Sequence, residues 1–371
     1  MLALLIGRIL EVLHKRTAFY SLHQLNNAKL VPFAGYIMPI QYKGVIFEHN
    51  TVRSNVGVFD VSHMCQIIIE GDSAPDLVQK ITTNDVEKLM DGDIQYSCML
   101  NKKGGIIDDL LVYRISCNKY MLVVNASNAQ KDFQWICSNN NYNLSISDIT
   151  SERGLLAVQG PKALQLLQNL TPISLDSIPY YKFKIGRLAD CEDVIISRTG
   201  YTGAGGFEIY MKQEYAEIIW KKIFSINQDI QPIGLAARDT LRLEMGYCLY
   251  GNDITEEITP VEAGLLWIVK RNTDFIGKSS IVKQIENGVT KKLVGFLLQE
   301  KGVPRQGYEI LDINHQIIGR VTSGTISPSL NRPLGMGYVI TEEASIGNNI
   351  LIKIRNKTLK AIIVKRPFYE E

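Results

Sequence analysis

The sequence predicts an α+β fold with more than one domain, and three observations lead to this prediction. The chain has 371 residues, which is too long for one ordinary core and suggests two or three domains. Short β-rich runs alternate with segments of helical period, which is typical of a mixed fold. Roughly the last hundred residues are mostly strand-like, so we expect a separate β-rich domain at the C-terminus.

The individual elements follow from these patterns in chain order. Strands are predicted where apolar and β-branched residues cluster, at Gln66–Glu70, Leu110–Arg114, Tyr120–Val124, Val194–Ser197 and Phe207–Met211. The spacing of apolar residues predicts a helix over Pro161–Leu167. Further along, a short helix is expected after Phe275–Lys278 and strands at Lys292–Leu298 and Ile350–Ile354. No internal repeat is found, so a solenoid is excluded.

Composition and charge exclude several classes of protein. Hydrophobic residues make up 46% of the chain and charged residues 21%, which is typical of a folded globular protein. The net charge of +2 gives no case for a nucleic-acid partner, and no apolar run approaches the roughly 18 residues of a membrane helix. The six cysteines are scattered, without a C-x-x-C pair or a histidine at metal-ligand spacing. This pattern predicts reduced thiols, a cytoplasmic location and no metal site.

The N-terminal segment, residues 1–16, is apolar, slightly basic and helical in period. A targeting peptide is one interpretation, but Glu11 and the lack of a small-residue cleavage site weaken it. An additional helical turn or an upstream start codon is the favoured explanation.

Two charged residues stand in unusually apolar or glycine-rich surroundings. Glu208 ends the glycine-rich loop of Arg198–Glu208, and Arg238 follows a small apolar run within Gly234–Glu244. Strand-like segments flank the loop on both sides, which favours a hairpin connection over a phosphate-binding loop. A buried charge needs a fixed partner, and a ligand with a donor edge and an anionic tail would supply one for each residue. A turn role for Glu208 and an ion pair for Arg238 are the alternatives.

Two adjacent aspartates, Asp108 and Asp109, lie between a glycine pair and an apolar strand. Side chains alternate along an extended chain, so the two point to opposite faces and only one can face a given cavity. A turn aspartate at the start of a strand is the alternative interpretation.

His63 and Cys248 are candidate catalytic residues that we interpret as structural. His63 follows Asp60 and Ser62 closely, but no G-x-S-x-G elbow or other nucleophile context accompanies it. Cys248 lies between apolar or aromatic neighbours and is expected to be a buried apolar residue.

Taken together, several motifs resemble the aminomethyltransferase (T-protein) family of the glycine cleavage system. The motifs extend over nearly the whole chain, from about Thr17 to Tyr369; besides the two charged segments, they are Phe33–Pro39, Phe59–Met64, Gly104–Asp109, Leu249–Asp253, Thr322–Pro328 and Lys365–Tyr369. The resemblance implies three lobes in a cloverleaf around a central folate cavity. The implied domains are 17–60 with 152–270 as a discontinuous first domain, 61–151 as an inserted second domain, and 271–371 as the β-rich C-terminal domain.

The resemblance also implies a reaction. An aminomethyl group carried on the dihydrolipoyl arm of the lipoylated H-protein passes to tetrahydrofolate, the co-substrate, giving 5,10-methylenetetrahydrofolate and ammonia. Asp109 matches the family's essential aspartate, and Glu208 and Arg238 match its folate contacts. The remaining positions expected to line the folate cavity are Tyr96, Leu111, Tyr113, Val123, Asn125, Tyr180, Tyr181, Tyr201 and Tyr247.

Two related activities and one non-enzymatic role compete with this prediction. Folate-dependent demethylases share the fold, and so does a family that maintains iron–sulfur proteins and carries a Lys-Gly-Cys-Tyr-x-Gly-Gln motif. Residues 245–252 lack the lysine and the final glutamine of that motif, which favours the aminomethyltransferase. The third alternative is a folate-binding module without activity, and Asp109 argues against it.

Overall fold

The structure is a computed structural model that describes residues 14–370. Most of the apolar N-terminal segment lies outside the described residues, so the alternatives for it stay predictions. The described chain divides into two compact units. Unit 1 contains the chain up to Pro75, Lys88–Gln95 and Leu111–Asp239, and unit 2 contains Asp76–Glu87, Tyr96–Leu110 and the chain from Thr240 onward. The three-domain boundaries given above stay a prediction.

The helices are short, with 6 to 11 residues each. In chain order they are α1 (Tyr20–Leu25), α2 (Val45–Ser54), α3 (Ala74–Ile81), α4 (Ala129–Asn139), α5 (Ala163–Gln168), α6 (Ala216–Ile226), α7 (Leu235–Glu244) and α8 (Lys278–Asn287). The helix predicted over Pro161–Leu167 is therefore confirmed as α5, and α8 is the short helix expected before the C-terminal strands. The unit boundary falls within α3 and within α7.

Unit 1 contains a two-stranded and a six-stranded sheet. The antiparallel pair is β1 (Lys29–Phe33) and β2 (Tyr36–Gln41). The strands of the larger sheet are β3 (Gly57–Asp60), β9 (Arg153–Gln159), β10 (Phe183–Leu188), β11 (Cys191–Ser197), β12 (Gly206–Lys212) and β13 (Gln231–Ile233). Their order is β10-β11-β12-β9-β3-β13, in which only β13 and β3 pair in parallel.

The core of unit 1 lies between the six-stranded sheet and its helices. Apolar side chains of β9, β11 and β12 pack there against α5 and α6. The central residues of β12 are buried on both faces of the sheet. This burial explains why most side chains of the strand are apolar. Glu208 therefore lies in the middle of a buried strand.

A five-stranded sheet has the order β5-β6-β7-β4-β8. Its strands are β4 (Cys65–Glu70), β5 (Ile94–Leu100), β6 (Ile106–Ser116), β7 (Lys119–Val124) and β8 (Ser145–Asp148). The unit boundary falls within β5 and within β6. The strands predicted around Gln66, Leu110 and Tyr120 are confirmed as β4, β6 and β7.

Unit 2 ends in a closed six-stranded barrel, which confirms the predicted β-rich C-terminal region. The barrel order is β14-β17-β16-β15-β18-β19. Its strands are β14 (Lys291–Leu298), β15 (Glu309–Leu311), β16 (Ile317–Ser327), β17 (Arg332–Ile340), β18 (Asn349–Ile354) and β19 (Lys357–Val364). Alternate residues such as Phe296, Leu298, Ile350 and Ile352 fill the interior, as the period of two along a strand requires.

Candidate functional site

Glu208 is a buried carboxylate in the centre of the six-stranded sheet. It pairs in register with Ser197 on β11 and with Ala157 on β9, and its side chain is only 7% exposed. The Thr199 hydroxyl donates a hydrogen bond of 2.6 Å to Glu208 Oε2. Burial raises the pKa of Glu208, while the Thr199 hydrogen bond and the charge of Arg238 act in the opposite direction. The pKa of Glu208 is therefore raised overall, and the Thr199 hydrogen bond and the charge of Arg238 limit that rise.

A chain of hydrogen-bonded hydroxyl groups extends from Thr199, the residue that donates to Glu208. Ser197 Oγ lies 2.8 Å from Thr199 Oγ1, and the Tyr113 hydroxyl lies 3.1 Å from Ser197 Oγ and 2.8 Å from the Tyr210 hydroxyl. Burial raises the pKa of both tyrosines, so they remain protonated at neutral pH. Tyr113, expected to line the ligand cavity, is fully buried in this chain, and its ligand contact stays a prediction.

The glycine-rich loop is a hairpin connection between antiparallel strands β11 and β12, as predicted. Gln159 supports it from β9: its side-chain amide donates to Thr199 O and accepts from the Thr202 hydroxyl. Gly206 has φ +123°, and a Cβ there would lie 2.3 Å from Val158 O. Only glycine fits this approach of two backbones, which leads the loop directly into the strand that carries Glu208.

Arg238 lies in the first turn of α7 with its guanidinium carbon 4.7 Å from the centre of the Tyr201 ring. Nη1 is buried and makes no hydrogen bond within residues 14–370. Burial lowers the pKa of Arg238, and the charge of Glu208 opposes that effect. Within residues 14–370, Arg238 and Glu208 form no ion pair with each other. The charge of each residue nevertheless shifts the pKa of the other. Unit 1 thus holds a buried carboxylate and, within electrostatic range of it, a guanidinium whose buried Nη1 has no hydrogen-bond partner.

His63 lies in the same electrostatic environment and is 4% exposed. Burial lowers its pKa to about 4; Asp60 acts against this effect and Arg238 adds to it. Its ring packs edge-on against Phe33, with 5.6 Å between ring centres. A neutral, buried imidazole agrees with the structural role predicted for it.

The predicted catalytic carboxylate lies in unit 2. Asp109 is half-buried, whereas Asp108 is fully buried, which agrees with the predicted alternation of the two side chains. The Tyr96 hydroxyl donates a hydrogen bond of 2.8 Å to Asp109 Oδ2. Burial and the Asp109 charge raise the pKa of Tyr96, which keeps this tyrosine a donor. The Trp267 ring packs on Tyr96 with 5.8 Å between centres, although its residue is 59% exposed.

The thiols of unit 2 are poor nucleophiles. Burial raises the pKa of Cys248 to about 12, and burial and then the charge of Asp109 raise that of Cys98 well above its usual value. Because the thiolate is the reactive form, both residues stay unreactive at neutral pH. This supports the interpretation of Cys248 as a buried apolar residue.

Sequence reasoning missed a second arginine on α7, Arg242. This residue is 2% exposed and donates hydrogen bonds to Asp253 Oδ2 at 2.8 Å, Tyr247 O at 2.9 Å and Ser323 Oγ at 3.0 Å. Leu249 N and Ser323 Oγ also donate to Asp253 Oδ2, each at 2.9 Å. The two arginines of one helix therefore differ sharply, since Arg242 is well paired and Arg238 is not. No local pattern marks this difference, because the side-chain partners of Arg242, Asp253 and Ser323, lie 11 and 81 residues away.

The other predicted cavity residues fall in both units. In unit 1, Leu111 lies directly opposite Val123 across β6 and β7, Asn125 follows β7, and Tyr181 N donates to Arg198 O at the start of the glycine-rich loop. The rings of Tyr180 and Tyr181 lie 4.7 Å apart at their centres. In unit 2, Tyr247 follows α7, and its carbonyl is the acceptor that Arg242 uses. Their contacts with a ligand stay predictions.

Among residues 14–370, no group of three or more His, Cys, Asp or Glu side chains could hold a metal ion. None of the helices described above is long and apolar enough to cross a membrane.

Comparison with known proteins gives consistent matches along the chain. Residues 19–273 match the family described as the GCVT N-terminal domain, and residues 291–370 match the glycine cleavage T-protein C-terminal barrel domain. An aminomethyltransferase of Flavobacterium psychrophilum is 53% identical over 96% of this chain and 100% of its own length. An aminomethyltransferase of Bacteroides thetaiotaomicron is 51% identical over 95% of this chain and 99% of its own length.

A solved structure is also similar. It is the glycine cleavage system aminomethyltransferase T from Bartonella henselae, with a TM-score of 0.90 and 34% identity over 96% of this chain and 98% of that chain. The matches favour the aminomethyltransferase over the demethylase and maintenance alternatives.

Proposed function

The chain belongs to the glycine cleavage T-protein family and is an aminomethyltransferase, and from this premise we propose how its residues perform the reaction. The aminomethyl carbon comes from the dihydrolipoyl arm of a lipoylated H-protein and passes to tetrahydrofolate, with release of ammonia and formation of 5,10-methylenetetrahydrofolate. Glu208 and Arg238 hold the folate, and Asp109 is the catalytic residue. All six cysteines are free thiols, which supports the reducing, cytoplasmic location predicted above.

The observation that carries the proposal is the buried Arg238 Nη1, which lacks a hydrogen-bond partner and lies within electrostatic range of the buried Glu208 carboxylate. An unsatisfied buried donor typically costs about 1–3 kcal/mol, and a ligand acceptor would remove that cost. Glu208 can accept hydrogen bonds from an amino edge, and Arg238 can donate to an oxygen acceptor. Tetrahydrofolate carries a pterin amino edge and several oxygen acceptors, so the residues present fit it.

The catalytic contribution proposed for Asp109 is electrostatic. Tetrahydrofolate supplies the amine nitrogens that accept the one-carbon unit. The Asp109 carboxylate stabilises the positive charge that develops during transfer, and this stabilisation is strong because the group is half-buried. The hydrogen bond from Tyr96 fixes one carboxylate oxygen, so less reorganisation is needed during the reaction.

The test is an assay with lipoylated H-protein, ammonia and methylenetetrahydrofolate, which follows the reaction in the reverse direction. Asp109→Asn keeps the size of the side chain but removes its charge, so we expect turnover to fall by a factor on the order of one hundred or more. Affinity for tetrahydrofolate should change little. Asp108→Asn is the matched control, with thermal unfolding used to confirm that both variants fold. Near wild-type turnover in both, or a larger loss in Asp108→Asn, would contradict the assignment.

A further inference from the structure

Glu48 is a fully buried carboxylate on α2 that the reaction above does not use. Its Oε1 accepts hydrogen bonds from Tyr42 N at 2.7 Å and Gly44 N at 2.9 Å, and its Oε2 accepts one from Gly234 N at 2.7 Å. Within the described chain no basic side chain forms an ion pair with it. Three backbone N–H groups therefore satisfy this charge, and one of them lies 186 residues away.

The distant donor, Gly234, is the residue immediately before α7. Gly234 O accepts the hydrogen bond from Arg238 N, at 3.3 Å, so this residue begins the turn that carries Arg238. A Cβ on Gly234 would lie 2.3 Å from Ile40 O. The start of α7 is thus fixed from two sides, by the backbone of β2 and by the Glu48 carboxylate.

The charge of Glu48 also affects the electrostatics at the start of α7, the turn that carries Arg238. A cation in the first turn of a helix is unfavourable, because the partial charge at that end is positive. An anion that accepts the Gly234 N–H lies at the same end and offsets this effect. The Glu48 carboxylate therefore both holds the start of α7 in place and offsets the partial positive charge there.

We propose that Glu48 is a positioning residue for ligand binding, which holds the first turn of α7 so that the Arg238 guanidinium stays over Tyr201 with Nη1 available to the ligand. This inference rests on the proposed role of Arg238 in binding tetrahydrofolate. Glu48 itself does not contact the ligand in this proposal. Its effect passes through the helix start.

Glu48→Gln is the sharpest perturbation. Glutamine has one acceptor oxygen where Glu48 has two. Its amide N–H₂ must therefore face either the Tyr42 and Gly44 N–H groups or the Gly234 N–H group, and the hydrogen bonds on that side are lost. The loss of one charge-assisted hydrogen bond corresponds to a factor on the order of ten or more. We expect tetrahydrofolate to bind Glu48→Gln about tenfold more weakly, because Arg238 is no longer held in place.

The experiment is a double-mutant cycle measured by calorimetric titration with tetrahydrofolate. The proteins are wild type, Glu48→Gln, Arg238→Met and the double variant, with Glu217→Gln on the exposed face of α6 as the matched control. Thermal unfolding of each protein is measured separately. If Glu48 acts through Arg238, Glu48→Gln weakens binding in the wild-type background and has no further effect in the Arg238→Met background. The control should bind as wild type.

Two results would overturn the inference while leaving the proposed function intact. One is unchanged affinity in Glu48→Gln when Arg238→Met binds weakly, and the other is an equal loss in both backgrounds. Wild-type affinity in Arg238→Met would contradict the role of Arg238, and the inference with it. If Glu48→Gln does not fold, Glu48→Asp takes its place. It keeps the charge but is one methylene shorter, and it should show a smaller loss with the same dependence on Arg238.

Discussion

The contrast between Arg238 and Arg242, four residues apart on α7, leads to a prediction about stability without ligand. Arg242→Met removes three hydrogen bonds and leaves the Asp253 carboxylate buried without its cation. Breaking a buried ion pair in this way typically costs about 3–5 kcal/mol. At about 2–4 °C per kcal/mol for a unit of this size, the Tm should fall by roughly 6–20 °C.

Arg238→Met, in contrast, should have little effect on stability. It removes an unsatisfied buried donor, a gain of about 1–3 kcal/mol, and it also removes the attraction to Glu208. These effects oppose each other, so we expect the unfolding free energy to change by no more than about 1 kcal/mol. Arg238→Met should nevertheless lose the stabilisation by tetrahydrofolate, which for wild type is about 2.7 kcal/mol at a hundredfold excess over Kd.

Thermal unfolding of wild type and both variants, with and without tetrahydrofolate, tests this reasoning. Arg242→Met should start from a low Tm and still respond to the ligand, whereas Arg238→Met should start near wild type and not respond. If Arg238→Met proves as destabilised as Arg242→Met, Arg238 is a structural ion-pair residue. A full ligand response in Arg238→Met would exclude it as a ligand contact.

Two further predictions concern pH. Burial lowers the pKa of His63 in the folded protein to about 4, below its ordinary value of 6.5. Between pH 6.5 and pH 4 the His63 imidazole therefore takes up a proton only in the unfolded chain. The free energy of unfolding consequently falls as the pH is lowered from 6.5 to 4. Denaturant unfolding should show that wild type loses about 3 kcal/mol of unfolding free energy between pH 7 and 4 and that His63→Phe abolishes this loss. Parallel plots of unfolding free energy against pH for the two proteins would contradict this reasoning. Thr199→Val removes a hydrogen bond that lowers the pKa of Glu208, so the loss of tetrahydrofolate affinity on acidification should begin at higher pH. Titrations across pH should show no such shift in Thr199→Ser, and an unshifted profile in Thr199→Val would mean that the hydroxyl does not control Glu208.

Much of the fold followed from local patterns in the sequence. The strands around the glycine-rich loop, and hence the hairpin that carries Glu208, were predictable because strands on both sides of a glycine cluster leave few alternatives. The different burial of Asp108 and Asp109 agrees with the period of two along a strand. Both inferences depend only on residues that are close in sequence.

The supporting contacts of the site could not be predicted in this way. Glu48 meets Gly234 from 186 residues away, and Tyr113 reaches the Ser197 hydroxyl across 84 residues. Each of these contacts is a single interaction between distant segments, so it produces no repeating pattern of residues that sequence analysis could detect. Trp267 was missed for the same reason, because its packing on Tyr96 joins segments that are distant along the chain.

The satisfaction of buried charges separates structural from functional residues more clearly than residue type does. Glu48 and Arg242 are 0% and 2% exposed, and each is held by at least three hydrogen bonds. Arg238 keeps a buried nitrogen without a partner, and this costs stability in the absence of ligand. In the role proposed for Arg238, a ligand acceptor on Nη1 removes this cost, and the recovered free energy contributes to affinity. The helix start held by Glu48 and the glycine-rich loop held by Gln159 fix the backbone on both sides of the Arg238–Tyr201 contact, which limits how far the guanidinium can turn toward another acceptor within the protein.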